Sequence, residues 1–391
     1  MSVYAALGVT PIINAKGSST RVSGGLLSPV VTAAMAEAAG LCVDMADLQA
    51  GASRVIARVT GAEAGLATSG AAAGLLLGAA ACLTRLDPAR MARLPDASGF
   101  PNEIIVVRSQ RNAYDHAVRA AGARLVEVGL PDRYAGAGIR DAELWEIEAA
   151  ITPATAAILY VLTPQAEPPL AEVVALAHRH ALPVLVDAAA QLPPASNLRA
   201  LPATGADLVA FSGGKAINGP QGSGILCGRR DLIMSAALQN LDLDLDWKSW
   251  NPPANLIDKD RLPGLPAHGI GRSAKIGKET IVGLLTALEL FAAEPDDART
   301  ARHLHILNQL RQLAPDLAFT LRPGPVPLLA LAAANAREAL AELQNGKPAI
   351  HLDPSALPDG VLRINPTCLR PDDLPILASR LRAVVIPSSE A

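Results

Sequence analysis

The sequence has few cysteines, and their placement excludes the commonest cysteine-based sites. Cys42, Cys82, Cys227 and Cys368 are widely scattered, and none has the CxxC spacing or another spacing of a metal site. We therefore expect no metal centre. We expect the four thiols to be small buried side chains in a reducing cytosol.

Aromatic residues and basic charge are also scarce, which disfavours a nucleic-acid partner. With 3 Trp, 4 Tyr and 4 Phe, the chain has too few rings for a base-stacking platform. The 34 basic and 37 acidic residues give a net charge of −3, so no overall basic excess attracts a polyanion. Half of the 391 residues are hydrophobic, which excludes a disordered chain and predicts two or three compact units.

The first residues and one internal run bear on the cellular location. No charged residue precedes Lys16, and no compact apolar block with a cleavage site is present there, so no signal peptide is expected. Residues 64–84 carry no charge, and this run is about as long as a helix that crosses a bilayer. Their alanine and glycine content makes them only modestly hydrophobic, which predicts a buried helix. We expect a cytoplasmic protein without a membrane partner.

Short runs rich in β-branched residues alternate with helical patterns, which predicts an α/β fold. A mostly parallel sheet covered on both faces explains runs this apolar. Ligands of such sheets collect at the carboxyl ends of strands, where Asp187 and Ser212 end two of the runs. The runs are 103–108, 124–128, 156–162, 183–187, 207–211 and 224–226.

The second half of the chain predicts a long loop and a smaller unit. Residues 240–268 have repeated Asp, Pro and Gly and two tryptophans, and they predict an ordered, functional loop, with a simple surface excursion as the alternative. The polar break at 294–299 follows a helical pattern and predicts a domain boundary. The expected domains are a segment 1–20 packed with the small domain, a large domain 21–293, and a small domain 294–391.

A lone lysine is the first candidate for chemistry. Lys215 is the single lysine between Lys16 and Lys248, and it follows an apolar strand in a loop of small residues. Desolvation in such a loop lowers the pKa of a lysine and frees the amine to attack an aldehyde, as a Schiff-base lysine requires. A solvated loop lysine is the alternative.

Two further features fit a pyridoxal phosphate site. Asp187 ends a buried strand, where a carboxylate can hold a proton on a pyridine nitrogen, although a helix N-cap looks the same. Thr68, Ser69 and Gly70 begin an alanine-rich helix, whose first N–H groups and dipole favour a phosphate. An ordinary capped helix would have the same sequence pattern.

The order of these three features resembles that of fold-type I pyridoxal-phosphate enzymes. Residues 212–215 (SGGK) with 219–224 (GPQGSG) are similar to the pattern of the class V aminotransferase and cysteine desulfurase group. Residues 7–25, 187–194 and 269–279 are similar to selenocysteine-synthase-like proteins, most of all to the branch that includes D-glucosaminate-6-phosphate ammonia-lyase. The resemblance implies an aspartate aminotransferase-like fold, with a large, mixed but mostly parallel seven-stranded sheet and a small C-terminal α/β domain.

The resemblance also implies roles for individual residues. Lys215 would form the Schiff base with the cofactor, and Asp187 would pair with its pyridinium nitrogen. The chain departs from the desulfurase pattern in having Gly214 in place of a histidine, and in having Gln191 four rather than three residues after the aspartate. The contact of Gln191 with the phenolic oxygen of the cofactor is therefore open. The phosphate would be held by Ser69, Gly70 and Ala71, with help from Ser212.

The resemblance leaves three candidates for the residue stacked on the cofactor ring. Alignment with the lyase-like relatives puts Gln110 where they often have a histidine. Tyr114 and His116 follow in the same loop and are the alternatives for contact with the ring or the substrate. His116 could equally be an ordinary helix-surface residue.

Four basic residues are candidates for binding anionic groups. Arg272, Lys275 and Lys278 follow at spacing three, so they could share a helix face and bind a phosphate, although a solvated basic turn is the alternative. In relatives this segment approaches the neighbouring subunit's site, so at least a homodimer is expected. Arg363 sits where related enzymes hold the substrate carboxylate through a bidentate guanidinium, with a surface arginine as the alternative.

The resemblance implies a lyase that acts on a small hydroxylated amino acid, of D or L configuration, with or without a phosphate. Lys215 would remove the α-proton, and loss of the β-hydroxyl would lead to a keto acid and ammonia. Racemisation, retro-aldol cleavage and transamination are the alternatives within this chemistry. A tRNA-dependent selenium transferase would need a large basic surface, and a non-catalytic scaffold would not need Lys215. No GxGxxG follows the first strand, as a nicotinamide enzyme would require.

Overall fold

The chain folds into two compact units. A computed structural model describes residues 3–130, 141–266 and 268–385. One unit lies in Leu27–Ala292, and the other combines Met1–Leu26 with Ala293–Ala391. The expected domain bounds at residues 20 and 293 stay a prediction.

The strands and α-helices alternate through most of the chain. The strands, β1 to β12 in chain order, are Ile13–Ala15, Ala64–Thr68, Glu103–Val107, Arg124–Val128, Thr155–Val161, Val184–Asp187, Leu208–Ser212, Gly224–Gly228, Thr320–Arg322, Leu328–Ala332, Ile350–Leu352 and Val361–Ile364. The helices, α1 to α14, are Val3–Ala6, Pro29–Ala39, Met45–Thr60, Ala71–Thr84, Pro88–Arg93, Asp115–Ala120, Leu144–Ala149, Leu170–Arg179, Asn197–Ala200, Arg230–Asn240, Lys278–Ala293, Asp296–Leu313, Ala336–Asn345 and Leu374–Val385.

The larger unit is built on a seven-stranded sheet. Its strand order is β2-β8-β7-β6-β5-β3-β4. Strands β3 to β7 are mutually parallel, whereas β8 runs antiparallel to both β7 and β2. The predicted α/β fold with a mixed, mostly parallel sheet is confirmed. Each of the six predicted runs forms one strand.

Both faces of this sheet are buried, which explains the continuous apolar runs. Ile104 and Val106 pack into a cluster on one face, with residues of α4 and α10. Ile105 and Val107 pack into a second cluster on the other face, with residues of α8 and α11. Helices therefore cover the sheet on both sides, as crossover connections require.

The charge-free run 64–84 is not one helix, so the prediction for it is wrong in its first residues. It forms β2 and then α4, because Gly70, with φ of +95°, turns the chain between them. Alanines and glycines that fit a helix also fit a fully buried strand. None of the helices in the described ranges is long and apolar enough to span a membrane.

Strand β2 is an edge strand, and helix α3 satisfies its outward backbone groups. The Gln49 amide donates to Ala67 O at 2.9 Å and accepts from Ala67 N at 3.1 Å. Ser53 Oγ accepts from Gly65 N at 3.1 Å. Both side chains are buried, so they replace the missing neighbouring strand and close the edge to pairing with another chain.

The smaller unit has its own sheet and core. Strands β12, β10 and β9 form an antiparallel sheet, and β1 pairs in parallel with β11. An isolated bridge between Asp353 and Arg363 joins the two groups of strands. Helices α12, α13 and α14 pack on this sheet around leucines such as Leu307 and Leu377. Most of the predicted polar break at 294–299 lies inside α12, which begins at Asp296.

The predicted loop at 240–268 is ordered around a lysine. Lys259 Nζ donates to the carbonyl oxygens of Trp247 and Trp250 at 2.7 and 2.5 Å. The same ammonium lies 4.8 Å from the centre of the Trp247 ring, a cation–π contact. Both tryptophans pack against the core cluster that contains α4. The excursion is thus anchored to the larger unit.

Candidate active site

Three strand ends come together at one edge of the large sheet. Thr68, Gly224 and Ser212 form one row across β2, β8 and β7, since Gly224 pairs with both of the others. Asp187 ends the neighbouring strand β6, where it pairs with Ala210. Lys215 follows β7 by three residues. The turn at residues 68–70, which we call the phosphate turn, therefore meets the aspartate and the lysine at this edge, although the three are distant in the sequence.

Asp187 and Lys215 influence each other electrostatically, and burial governs both. The Asp187 side chain is buried, and burial raises its pKa against the opposing effects of the Ala189 N–H, which donates to Oδ1 at 3.0 Å, and of the Lys215 charge. Lys215 is half-buried, and burial lowers its pKa while the Asp187 charge opposes the shift. Burial thus shifts the pKa of each group toward its neutral form, and the charge of the other group opposes that shift.

The loop that carries Lys215 is shaped by glycines. A Cβ at Gly214 would collide with the backbone of Gln221, so the histidine of the desulfurase pattern has no space at this position. Asn218 has a left-handed φ of 55°, and its N–H donates to Lys215 O at 3.0 Å. Its Oδ1 is buried without a hydrogen-bond partner among the described residues. Asn218 had no signal in the sequence beyond its place between the lysine and Gly219.

The turn before α4 leaves helix N–H groups free for an anion. Thr68 Oγ1 donates to Gly70 O at 2.9 Å, and Gly70 N donates to Thr68 O at 2.9 Å, so both groups fix the turn. The N-cap residue Gly70 has no side chain that could cap α4, and a Cβ on it would meet nothing within 4 Å among the described residues. The first N–H groups of α4 have no intrahelical partner in this geometry, and a phosphate satisfies such groups.

Ser69 and Ser212 are the two hydroxyls predicted to help with the phosphate. Ser69 Oγ donates to Ala274 O at 2.8 Å, and this carbonyl also accepts from Asn240 Nδ2 at 3.2 Å. Ser69 therefore ties the turn to the segment before α11. Ser212 lies half-buried at the end of β7. Asn240 was missed, because an asparagine that ends a helix has no distinctive pattern.

Gln110 and Gln191 hold the loop that follows β5. Gln110 Oε1 accepts from Val161 N at 3.0 Å, and Gln110 Nε2 donates to Glu167 O at 3.3 Å. Gln191 Nε2 donates to Leu162 O at 2.6 Å. Their predicted contacts with the cofactor ring and its phenolic oxygen stay predictions, and the structure gives both amides a positioning role.

Tyr160 adds a third tie to the same loop. Its hydroxyl donates to Pro168 O at 2.9 Å from a ring that is 2 % exposed. In the sequence, this tyrosine is only one residue of the predicted strand 156–162. Tyr114 and His116, the other candidates of the Gln110 loop, are exposed, and His116 Nδ1 lies 3.0 Å from Arg119.

Arg272, Lys275 and Lys278 do not share a helix face, so that prediction is wrong. Arg272 belongs to a short 3-10 helix and binds Asn240 O and Asp242, and Lys275 is extended. Helix α11 begins only at Lys278, whose Nζ donates to the carbonyls at the end of α2. The three residues are spaced by three, but the non-helical segment 275–277 separates the 3-10 helix from α11. Lys275 lines a cavity of about 240 Å³ together with Met45, Gln49 and Asn240.

Arg363 lies on strand β12 of the smaller unit. Its Nη1 donates to Ser355 Oγ at 3.1 Å. Its Nε is buried without a hydrogen-bond partner in the described part of the chain. An arginine with an unpaired donor is suited to a carboxylate.

Comparisons with known proteins agree with this geometry. A family model described as "Aminotransferase class-V" matches residues 108–241. The 5'-C-glycyluridine monooxygenase-decarboxylase of a Streptomyces species is 32% identical over 98% of this chain and 92% of its own. The D-glucosaminate-6-phosphate ammonia lyase of Salmonella typhimurium is 30% identical over 98% of both chains. L-seryl-tRNA(Sec) selenium transferases match as well.

This chain belongs to the selenocysteine-synthase-like family of fold-type I enzymes. A solved structure of D-glucosaminate-6-phosphate ammonia-lyase is similar to it at a TM-score of 0.79 and 29% identity, over 98% of both chains. The predicted family, fold type and pyridoxal phosphate cofactor are confirmed. The protein is a pyridoxal-phosphate-dependent enzyme, and the ammonia lyase is among its relatives.

The residues of this selenocysteine-synthase-like enzyme fit pyridoxal phosphate. The open space beside Gly70 and the uncapped start of α4 suit the phosphate. The buried Asp187 suits the pyridine nitrogen, and Lys215 suits the aldehyde. The cofactor supplies an electron-poor ring that stabilises negative charge on the substrate α-carbon.

Proposed function

We propose that this enzyme removes the α-proton of a small hydroxylated amino acid and eliminates its β-hydroxyl as water. Hydrolysis of the resulting enamine then gives a keto acid and ammonia. The observation that carries the proposal is the Asp187–Lys215 pair at the strand ends, in which burial lowers the pKa of the amine and the charges of the two groups act on each other. A neutral amine can accept a proton from carbon. The Asp187 carboxylate would pair with a protonated ring nitrogen and so keep the ring electron-poor.

Each residue has a defined task in this proposal. Lys215 Nζ takes the α-proton and keeps it within the site, because the half-buried amine is partly shielded from solvent. The Asp187 carboxyl group holds the proton of the ring nitrogen. The first N–H groups of α4, with Ser69 and Ser212 beside them, bind the cofactor phosphate. Arg363 holds the substrate carboxylate, while Lys275, Arg272, Tyr114 and His116 are further candidates for substrate contact.

Reduction with borohydride tests the cofactor assignment. The purified protein should absorb visible light, and peptide mapping after reduction should place one pyridoxyl adduct on Lys215 and none on Lys248. Hydroxylated D- and L-amino acids, with and without a phosphate, are then screened for keto acid and ammonia. A colourless protein that stays unlabelled after incubation with added pyridoxal phosphate would refute the proposal.

A second reaction is favoured by one specific likeness. The relative named a monooxygenase-decarboxylase is 32% identical over 98% of this chain. Under this alternative, the substrate loses its carboxyl group as carbon dioxide in a reaction that consumes dioxygen. Oxygen uptake and carbon dioxide release under air would establish it. Ammonia release at an equal rate without oxygen establishes the elimination instead.

We also propose that the enzyme is a cytoplasmic homodimer or a higher homo-oligomer. Helix α2 is apolar, yet Val31 is its single buried residue. Val30, Leu41 and Val43 are each more than half exposed in the isolated chain. A second copy of the chain is the occupant that we propose for this surface, since apolar patches of this kind mark interfaces.

A further inference from the structure

Polar side chains cover one face of the sheet in the smaller unit. Strands β1, β11 and β12 alternate, so that Ile13, Ile350 and Leu362 enter the core. Asn14 pairs with His351 in parallel register and shares its face. Arg363 lies opposite Asp353 across the isolated bridge, and Asp353 follows His351 by two residues. His351 and Arg363 therefore lie on the face opposite the core.

The loop after β1 brings two more cations to this face. Asn14 Nδ2 donates to Gly17 O and Gly24 O, both at 3.2 Å, which fastens the intervening loop to the strand. Asn365 N donates to Ala15 O at 2.9 Å, so the end of β1 lies beside the end of β12. Lys16 directly follows Ala15, and Arg21 lies within the fastened loop. The charges of Arg21 and Lys16 both act on His351 and, after burial, lower its pKa.

No ion pair joins Lys16, Arg21, His351 or Arg363 to a carboxylate in the described ranges, whereas Arg299 and Arg382 of the same unit both have one. The nearest acid along the face, Asp353, accepts hydrogen bonds from Ser355 N and Oγ at 3.0 and 2.9 Å. Lys16, His351 and Arg363 are half-buried. The like charges of Lys16 and Arg21 both act on His351, so their convergence on this half-buried imidazole is unfavourable without an anion.

Two nitrogens on this face point to the same conclusion. His351 Nδ1 and Arg363 Nε are buried and have no hydrogen-bond partner in the described part of the chain. A buried donor without an acceptor costs about 1–3 kcal/mol. A phosphate dianion offers several strong acceptor oxygens and neutralises more than one cation, which a single carboxylate cannot do.

We propose that Lys16, Arg21 and His351 bind the phosphate group of a phosphate monoester on this face, next to the Arg363 that we assign to the substrate carboxylate. The phosphate belongs either to the substrate itself or to a separate effector. The chemistry of the site is the same in both cases, and kinetics distinguishes them. Binding at this face does not depend on the proposed elimination reaction.

Histidine NMR of the enzyme loaded with pyridoxal phosphate tests the site directly. Inorganic phosphate is added at constant ionic strength, and His351 is assigned with the His351→Asn variant. Phosphate should move the His351 signals in a saturable way and raise the pKa of His351, because an anion favours the imidazolium form. Sodium chloride at the same ionic strength should not.

Charge-neutralising variants show which residues bind. Lys16→Gln and Arg21→Gln should each weaken phosphate binding about fivefold or more, the equivalent of about 1 kcal/mol. The matched control is Arg337→Gln, which removes an exposed cation of the same unit and should leave binding unchanged. Thermal unfolding of each variant shows that it is folded. Unmoved His351 signals, or an equal loss in Arg337→Gln, would overturn the proposal.

Kinetics of the same variants identifies the source of the phosphate. If the substrate carries it, both variants raise KM for a phosphorylated amino acid about fivefold and leave KM for the unphosphorylated one unchanged. If an effector carries it, the variants abolish the response of the unphosphorylated reaction to added glycerol phosphate. Bound phosphate without either effect would contradict a functional site. An enzyme that releases no ammonia refutes the proposed function alone, since the NMR result is independent of turnover.

Discussion

Burial moves the pKa values of Asp187 and Lys215 in opposite directions, and each side chain limits the shift of the other. The Asp187 charge raises the pKa of Lys215, against the larger effect of desolvation. If Asp187 is neutralised, we therefore expect the pKa of Lys215 to fall further. This coupling can be measured without the complete reaction, because the apoenzyme must present a neutral amine to capture pyridoxal phosphate.

The rate of cofactor capture by the apoenzyme should rise with pH, with a midpoint below the ordinary lysine value of 10.5. In Asp187→Asn the midpoint should move to lower pH, because the carboxylate no longer stabilises the ammonium form. Stopped-flow absorbance at a series of pH values gives both midpoints. Asp359→Asn, an exposed change of the same type, should keep the wild-type midpoint. A midpoint that moves upward in Asp187→Asn would show that the two groups do not interact as described.

At the scale of elements, β8 and the start of α4 are packed too closely for any side chain between them. A Cβ at Gly224 would lie 2.6 Å from Ala71 N and would collide with Gly70. Since Gly224 also pairs with Thr68 and Ser212, strand β8 packs directly against the phosphate turn and fixes its position. The position of the helix start is thus set by the absence of a side chain.

Gly224→Ala should displace the start of α4, lower stability by about 1–3 kcal/mol and weaken pyridoxal phosphate binding at least tenfold. Urea unfolding of the apoenzyme and a cofactor titration measure the two effects. Gly222→Ala is the matched control, because a Cβ there meets nothing within 4 Å. The support described for β8 is wrong if both alanine variants bind the cofactor equally well.

Gln49→Leu should destabilise the larger unit by about 2 kcal/mol or more, because it leaves the N–H and C=O of Ala67 unpaired at a closed edge. Urea unfolding measures the change. Arg54→Leu, an exposed substitution on the same helix, should change stability by less than about 0.5 kcal/mol. Equal stability of Gln49→Leu and the wild type would mean that water or a shifted helix pairs with the strand.

The sequence predicted these elements unevenly, for physical reasons. Strands with β-branched residues, such as β3 and β5, were recognised because they are buried on both faces. Strand β2 was not recognised, because the residues Ala64–Thr68 fit a strand and a helix equally well. The hydrogen bonds that favour the strand come from Gln49, which is distant in the sequence. The roles of Asp187 and Lys215 came from their positions at strand ends and from the family resemblance. The contacts of Gln110, Gln191 and Asn240 could not be read, because they join side chains to backbone groups distant in the sequence.

For the whole molecule, the exposed apolar segment around α2 is the feature that a single chain leaves unexplained. Val30, Leu41 and Val43 expose 57%, 58% and 51% of their surface. Lys278 Nζ caps the end of α2, so the helix is firmly attached to the larger unit although it buries little of itself. A fixed apolar helix on the surface is suited to a symmetric contact with its own copy.

Size-exclusion chromatography with light scattering should give at least twice the chain mass of 40.3 kDa. Val30→Glu with Val43→Glu should shift the protein toward the monomer, since each introduces a charge into the proposed interface. The control Leu313→Glu changes an exposed leucine of α12 in the other unit and should leave the mass unchanged. A wild-type monomer at micromolar concentration would exclude the proposed interface.

The antiparallel strand β8 has a consequence for the biosynthesis of the protein. Thr68 is made early and Gly224 late, yet the phosphate turn rests on both. A growing chain that already contains the turn, Asp187 and even Lys215 still lacks the strand that supports the turn. Closing a loop of this length is slow, and the open edges of β2 and β7 are exposed until β8 arrives. A ribosome-bound chain that stops before Gly224 therefore exposes both edges and has not yet completed the turn that would bind the phosphate.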